Sequence, residues 1–500
     1  MSFIGFTKAE YELSRLFAQA GATLYAVGGQ IRNPLLGIPV SDRDICSALP
    51  PERVIALCSE HGIKFVPQGI AYGTVALYMD GECYEHTTFR RDSYGAGGAH
   101  KPEAVSFGTS YEEDAFRRDF TVNALYAAIP ESAGDEITVL DPTGRGLEDI
   151  KSRLMRASSA DPSVILRDDA LRILRLVRFA CELGFECDDA TFECAKRFAR
   201  GLADISTERI RQELDKILLS DIRYGAGGTE HTDTTRPGED SAVYKGLVML
   251  DELRAFDVFL PEVSNCRGVS QRAQYHAYDV MGHLLHACAC IRAEAGEAQD
   301  REELLTLRLA ALLHDIGKPA AKEANANIPE KHGHMYGHDK IGAALACSAL
   351  SRLKYPRKLN ETVCFIIGAH MFDLTGAAKE STLRERFAQW GRENSLRLCA
   401  MRDADVYGSG LTPYSEKVDT AERFRRVLKA MRSENAPFSE GELKCTGEDL
   451  MRWTGLKRGA EIGRIKTSLL LHCARHPKDN RPEKLERLCR DNANFRQNRE

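Results

Sequence analysis

The sequence has no CxxC pair, no apolar run near the roughly 18 residues a membrane span requires, and no surplus of basic charge. Its 15 cysteines are scattered singly apart from Cys288 and Cys290, and their number is odd, which predicts reduced thiols and not a disulfide framework. Met1 to Ser14 mixes acidic and basic residues with apolar ones and lacks the hydrophobic stretch of a signal peptide, so a cytoplasmic protein with no membrane attachment is expected. With 68 Lys and Arg against 73 Asp and Glu, a formal charge of -5, any contact with nucleic acid has to come from a local basic patch. No regular internal repeat occurs, and 43% hydrophobic with 28% charged residues excludes disorder and fibrous architecture.

What is present divides the chain. Residues 1 to about 150 mix short β-rich runs (Ala71 to Met79, Ile137 to Leu140) with glycine turns, which predicts a mixed head. Beyond it strand signals nearly vanish, and apolar residues recur every three or four positions, as in Ala170 to Ala180 and Arg209 to Leu219. The fold class expected is therefore α+β: a head over 1–150, an all-α neck and body over 151–265 with an insertion near 221–243, a helical domain over 266–410 and a helical tail over 411–500. Gly95 to Pro102 and Gly225 to Asp240 read as exposed loops.

In the head, Tyr25-Ala26-Val27-Gly28-Gly29-Gln30-Ile31-Arg32-Asn33 places two glycines between an apolar strand and a helix, where backbone N–H groups can approach a phosphate. Ser41-Asp42-Arg43-Asp44-Ile45 then sets two carboxylates at i and i+2, which on a strand share one face. Adjacent like charges repel, and a divalent cation between them relieves the repulsion; Mg²⁺, held by one or two carboxylates and completed by substrate phosphates, is the natural candidate. The same pair also suits a solvated turn with two surface aspartates.

Gly28-Gly29 with Asp42 and Asp44 resembles the nucleotidyltransferase head of the DNA polymerase beta superfamily. Glu85-His86-Thr87-Thr88-Phe89-Arg90-Arg91-Asp92, Arg117-Arg118-Asp119-Phe120-Thr121-Val122-Asn123-Ala124 and Asp141-Pro142-Thr143-Gly144 follow in the order seen in class II tRNA nucleotidyltransferases and bacterial poly(A) polymerases. The resemblance implies that Asp42 and Asp44 are catalytic and bind Mg²⁺, with Gly28, Gly29 and Arg32 near the phosphates. Arg117 and Arg118 offer guanidinium forks suited to a triphosphate, and Asn123 a partner for a ribose hydroxyl. Asp119 either orients an arginine or contacts the sugar. Glu85 is either a third carboxylate or a strand residue facing solvent.

Arg167-Asp168-Asp169-Ala170-Leu171-Arg172-Ile173-Leu174-Arg175-Leu176-Val177-Arg178 reads as one helix with Asp168, Arg172 and Arg175 on one face, an arrangement that ordinary intrahelical ion pairs also produce. Cytosine and adenine each present an amino donor beside a ring-nitrogen acceptor, so a carboxylate and a guanidinium select them over uracil and guanine. The resemblance places this selection at Asp169 and Arg172, but Asp168 stands where glutamate is common, which leaves open whether Asp168 or Asp169 faces the base. Arg175 is the expected partner of nucleobase or phosphate, and Arg178 is counted with the nucleotide-binding set. Ile205-Ser206-Thr207-Glu208-Arg209-Ile210 reads as a helix cap that positions the neck.

Eight of the 14 histidines fall between His276 and His370. Leu312-Leu313-His314-Asp315-Ile316-Gly317-Lys318-Pro319 joins an imidazole to a hard carboxylate, a mixed donor set suited to Mn, Fe, Ni or Mg. With His283 before it and Asp405, a better match than Asp403, after it, the set resembles the HD phosphohydrolase superfamily, and His338 and His370 fit positions of further histidines. The segment from Lys444 through Gly463 resembles the tail of clostridial-type relatives, where Lys457, Arg458, Arg464 and Lys466 form either an RNA-contacting surface or a solvated helix face.

The implied activity is template-free addition of C, C and A to the 3′ end of tRNA from CTP and ATP. A poly(A) polymerase or an enzyme adding only CC or only A is the rival within this class, decided partly by a flexible loop around Tyr94 to His100. A metal-dependent phosphohydrolase whose head merely binds nucleotide is the rival outside it.

Overall fold

The structure, a computed structural model, describes residues 4–93, 104–108, 110–224, 239, 241–291, 300–326, 334–412, 419 and 421–491. The expected loops at Gly95 to Pro102 and, Glu239 apart, at Gly225 to Asp240 lie outside these residues, as does the stretch from Tyr94 to His100. The fold is α+β, in two compact units: the first ends at Ser264, and the second comprises Glu239 and the residues from Asn265 onward.

The described residues of the head form nine strands: β1 (Tyr25–Val27), β2 (Arg43–Ser47), β3 (Lys64–Pro67), β4 (Thr74–Met79), β5 (Glu82–Thr88), β6 (Arg90–Ser93), β7 (Ala104–Phe107), β8 (Tyr126–Ala128) and β9 (Val139–Leu140). Seven form one mixed sheet in the order β3-β4-β5-β2-β1-β8-β9, and β6 pairs with β7 as a separate antiparallel ribbon. The pairing that matters for function is the parallel one of β2 with β5, whose register sets Asp44 opposite Glu85. Period-two alternation buries Ile45, Tyr84 and His86 on the other face while Asp44 and Glu85 share the more open one. β1 passes into helix Gly29–Leu35 through Gly28, whose φ of 64° favours a residue without a side chain.

Beyond the head, the described strands are the two-residue pair Leu154–Met155 and Glu186–Cys187. The apolar face of the amphipathic helix Leu171–Leu183 is buried, including Ile173, Leu174, Leu176 and Val177. No helix among the described residues is long and apolar enough to cross a membrane.

In the second unit, helices Val280–Cys290, Arg301–Leu313, His338–Arg352, Arg357–Ala369 and Arg392–Gly408 carry the histidine-rich segment. One cysteine pair corrects the expectation of wholly reduced thiols: Cys347 and Cys364 are joined by a disulfide, with Cα atoms 5.8 Å apart. The two helices that carry them pack side by side, which brings 17 residues of separation within the reach of one bond. No other cysteine among the described residues forms a disulfide, so this is a single link and not a framework.

Gly317 marks where the chain turns against helix His338–Arg352. A Cβ there would lie 2.2 Å from the His338 carbonyl oxygen and 2.5 Å from the Gly342 nitrogen, both backbone atoms. Gly317→Ala is expected to cost about 2 kcal/mol or more through this overpacking and to lower the thermal midpoint of the second unit. An unchanged midpoint in calorimetry would contradict the close backbone approach.

Candidate functional site

Asp44 is half-buried, and its carboxyl is pushed up to about 6 by burial and by the charges of Glu85 and Asp42, against the lowering pull of Arg118 and Arg175. A Cβ on Gly28 would lie 3.8 Å from Asp44 Oδ2, so the glycine turn abuts this carboxylate. Crowded carboxylates beside a turn open to close approach make a hard oxygen donor set suited to a divalent cation.

Asp42 corrects the expectation that both aspartates lie on the strand. β2 begins at Arg43, where its pairing with Tyr84 of β5 starts, and Asp42 precedes it with an exposed side chain. Its Oδ2 accepts from Arg223 at 2.7 Å and from Ser41 Oγ at 3.0 Å. The aspartate is held by an arginine 181 residues away, and not by the sheet.

Two buried networks surround these carboxylates. Asp114, nearly inaccessible, accepts from Arg117 Nε at 2.8 Å, Arg118 Nε at 3.1 Å and the Tyr126 hydroxyl at 2.8 Å. Both arginines expected at the triphosphate are thus aimed by one aspartate. In the second network Arg32 donates to Asn123 Oδ1, Asn123 Nδ2 donates to Asp119 at 3.0 Å, and Arg175 Nε donates to Asp119 at 2.7 Å. Asp119 therefore orients an arginine.

Two arginines expected at the nucleotide are engaged within the protein in this geometry. Arg32 is 2% exposed and spent on Asn33 and Asn123, so it braces the glycine turn from within. Arg178 is buried, with Nε 2.7 Å from Glu213 and its guanidinium 4.0 Å from the Phe179 ring centroid. Its position one turn further along Leu171–Leu183 points it into the packing between helices, a direction that spacing along one helix does not reveal.

The expected single helix from Asp168 to Arg178 is also corrected. One helix, Pro162–Asp168, ends there; Asp169 is extended at φ -144°, ψ 101°, and its side chain accepts from the Leu171 N–H at 3.1 Å to start the next. Asp169 also pairs with Arg209 at 2.8 Å. Arg172 donates to the carbonyls of Ile165 and Arg117, at 3.1 and 2.8 Å. Asp168, Arg172 and Arg117 line one cleft of about 320 Å³ with Arg91, Glu113 and Phe116, whereas Asp169 does not line it.

The second unit gathers all six residues read from the histidine-rich segment. His283 Nε2 lies 3.1 Å from His314 Nε2 and 3.0 Å from Asp405 Oδ1, and Asp315 Oδ2 lies 3.2 Å from His314 Nε2. Asp315 Oδ1 faces His338 at 3.2 Å and His370 at 3.8 Å. His314, His338 and His370 each turn Nδ1 toward a backbone carbonyl, of Ala311, Met335 and Ile367, which fixes the tautomer and aims Nε2 inward. His338 Nε2 and Asp315 Oδ1 are buried with no hydrogen bond, so the donor set fits a metal ion. Asp403 is instead engaged by Arg425 at 2.5 Å. Among the described residues, the groups of three or more ligand-type side chains within 4.8 Å lie in this cluster and not in the head.

Sequence reasoning missed Asp114, Arg209, Arg223, Lys318 and His276. Lys318 Nζ lies 2.5 Å from Asp315 Oδ2, and the His276 ring is 4.6 Å from that of His283. Asp114, three and four residues before Arg117 and Arg118, and Lys318, three after Asp315, left local signals. On the tail, Lys457, Arg458 and Arg464 are exposed, and Arg464 pairs with Glu461 at 3.2 Å.

Residues 24–156 match the Poly A polymerase head domain, 275–409 match the HD domain, and 184–223 match the family described as the probable RNA and SrmB-binding site of polymerase A. The chain is 38% identical over 216 residues to the CCA-adding enzyme of Limosilactobacillus fermentum, covering 42% of this chain and 50% of that one. It is 40% identical over 201 residues to the CCA-adding enzyme of Geobacillus stearothermophilus, covering 40% and 46%. It thus spans about half the length of the curated relatives it matches. Among solved structures, the Bacillus stearothermophilus CCA-adding enzyme in complex with CTP superposes with a TM-score of 0.64 at 24% identity over 97% of both chains. The Thermotoga maritima CCA-adding enzyme complexed with tRNA gives 0.56 at 17% over 96% of this chain and 94% of that one. The shared fold therefore extends through nearly the whole chain, and the first unit carries a poly A polymerase head, the second an HD domain.

Burial pushes the Asp119 carboxyl up, but Arg175 and the Asn123 amide outweigh it and hold the group at about 2. A depressed carboxylate stabilises the fold above its unfolded value near 4, and that stabilisation is lost as pH falls toward 2. Asp119→Asn is expected to flatten the fall in thermal midpoint between about pH 4 and pH 2, removing roughly 2 kcal/mol of pH-dependent stability. Equal slopes for variant and wild type would contradict the network.

Proposed function

We propose that this protein adds C, C and A to the 3′ end of tRNA from CTP and ATP, without a nucleic-acid template and with release of pyrophosphate. The observation that carries the reading is Asp44 facing Glu85 across β2 and β5, with Asp42 and the Gly28 turn beside them. The CCA-adding relatives and the CTP- and tRNA-bound structures of the same fold support the choice of substrates.

Asp42 and Asp44, with Glu85, would hold Mg²⁺, which supplies the Lewis acidity that readies a 3′-hydroxyl to attack an α-phosphate. Gly28 and Gly29 let the backbone come close to the triphosphate, and Arg117 and Arg118, aimed by Asp114, neutralise its charge. Arg175 lies over the Phe179 ring at 5.2 Å and is oriented by Asp119 toward the same region. Asn123, fixed between Arg32 and Asp119, offers its amide to the ribose. An acidic residue at the start of helix Leu171–Leu183, Asp169 or Asp168, takes the amino hydrogen of C or A, and Arg172 donates to the ring nitrogen.

The second unit would hold a divalent ion, Mn, Ni, Fe or Mg, through His283, His314, Asp315 and Asp405, with His338 and His370 behind them. Its buried, backbone-oriented imidazoles suit a metal centre, which makes the unit a candidate for phosphohydrolase activity beside the transferase one. The reading places the protein in the cytoplasm, and divides it into head, neck, HD domain and tail at about 150, 265 and 410.

Incubating the protein with a tRNA transcript lacking its terminal CCA and with CTP, ATP or both separates the alternatives. The expected product gains CC with CTP alone and CCA with both. Asp42→Ala with Asp44→Ala is expected to lower incorporation at least a thousandfold, about 4 kcal/mol of barrier, while His314→Ala leaves it within a few-fold. Long A tails on arbitrary RNA, or incorporation that survives loss of both aspartates, would overturn the reading.

A further inference from the structure

Asp42 is an exposed member of the head's acidic cluster, and what holds it is an arginine of the neck. Arg223 closes the short helix Ser220–Arg223 and reaches Asp42 Oδ2 at 2.7 Å. The same guanidinium also lies 5.5 Å from the centroid of the Tyr224 ring, but its Nε is poorly held. Arg223 Nε lies 3.8 Å from Glu182 Oε1, beyond hydrogen-bonding range, and both atoms are buried with no hydrogen bond. Glu182 is fully buried and is shared with Arg178, 3.5 Å from its other oxygen. Arg223 thus stands between an interior carboxylate it does not fully satisfy and an outer carboxylate that a metal ion needs.

Those two demands conflict. A divalent ion shared by Asp42 and Asp44 requires a lone pair of Asp42, and a guanidinium bonded to the same carboxylate opposes it by like charge. Once displaced, the guanidinium is a planar fork beside the point where the triphosphate must arrive, a geometry matched to phosphate oxygens. We propose that Arg223 exchanges partners during nucleotide binding: it neutralises Asp42 when the head is empty, yields it to the metal, and then binds the phosphates of the incoming nucleotide. The inference rests on the transferase reading of the head and adds a phosphate-binding residue to it.

The test uses the full chain and needs no turnover. Mn²⁺ binding without nucleotide is read by electron paramagnetic resonance of the free ion, and CTP affinity by calorimetry with Mg²⁺ and no RNA. Arg223→Gln is expected to tighten Mn²⁺ binding roughly three- to tenfold, the scale of one partly exposed ion pair, and to weaken CTP binding by a similar factor. The Mn²⁺ effect should vanish in an Asp42→Asn background, which separates it from ions held by the histidine cluster. Arg223→Lys, which keeps the charge, should stay within about twofold of wild type for Mn²⁺ and guards against a folding defect. Mn²⁺ binding that is unchanged or weaker in Arg223→Gln overturns the proposal, and so does unaltered CTP affinity. Failure of the transferase reading would show differently, as a wild-type protein that extends no tRNA.

Discussion

The parallel pairing of β2 with β5 forces Asp44 and Glu85 into facing positions, and with Asp42 a residue ahead of the strand the head accumulates negative charge that it cannot disperse. Several arginines of the first unit are arranged around that fact. Arg118 and Arg175 lower the cost of ionising Asp44, and Arg223 neutralises Asp42. An acidic cluster compensated only in part from the protein side is an incomplete set of charges, which a divalent ion would balance.

The compensation is carried by buried ion pairs, which are poor sources of stability but costly to break, about 3 to 5 kcal/mol when one partner is removed. Their value here is directional. Asp119 joins Arg175 of the neck to Asn123 of the head, and Asp114 aims two consecutive arginines through one carboxylate. Arg32, Arg175 and Arg178 also approach the single ring of Phe179, at 5.1, 5.2 and 4.0 Å. That ring provides a rigid apolar surface against which the guanidiniums are set, so that each presents its N–H groups in a fixed direction.

Local features of this arrangement were legible in the sequence because they depend on neighbours. The strand, glycine turn and helix around Gly28 follow from a few consecutive residues, as does the His314-Asp315 step at a helix end. The six residues of the histidine cluster come together because four of them, His314, Asp315, His338 and His370, sit at or beside helix ends, where the chain converges. What was not legible depends on partners far along the chain. Asp42 is placed by Arg223, Asp169 by Arg209, and Arg178 by Glu213, and none of these pairings has a spacing that marks it. The break at Asp169 escaped notice for a different reason: an aspartate that caps the following helix looks, in sequence, like one inside it.

The two units apply different coordination chemistry. The head offers oxygen donors near solvent, suited to an ion that arrives with its substrate; the HD domain offers buried imidazoles locked by backbone carbonyls, suited to a resident ion. The central claim is that the head carboxylates bind the metal that serves nucleotide transfer. Anomalous diffraction from crystals of the protein grown with Mn²⁺ and CTP tests it most directly. The account predicts a manganese peak about 2.2 Å from oxygens of both Asp42 and Asp44, next to the triphosphate. Manganese confined to the histidine cluster, with CTP bound and the aspartates free of metal, would contradict it.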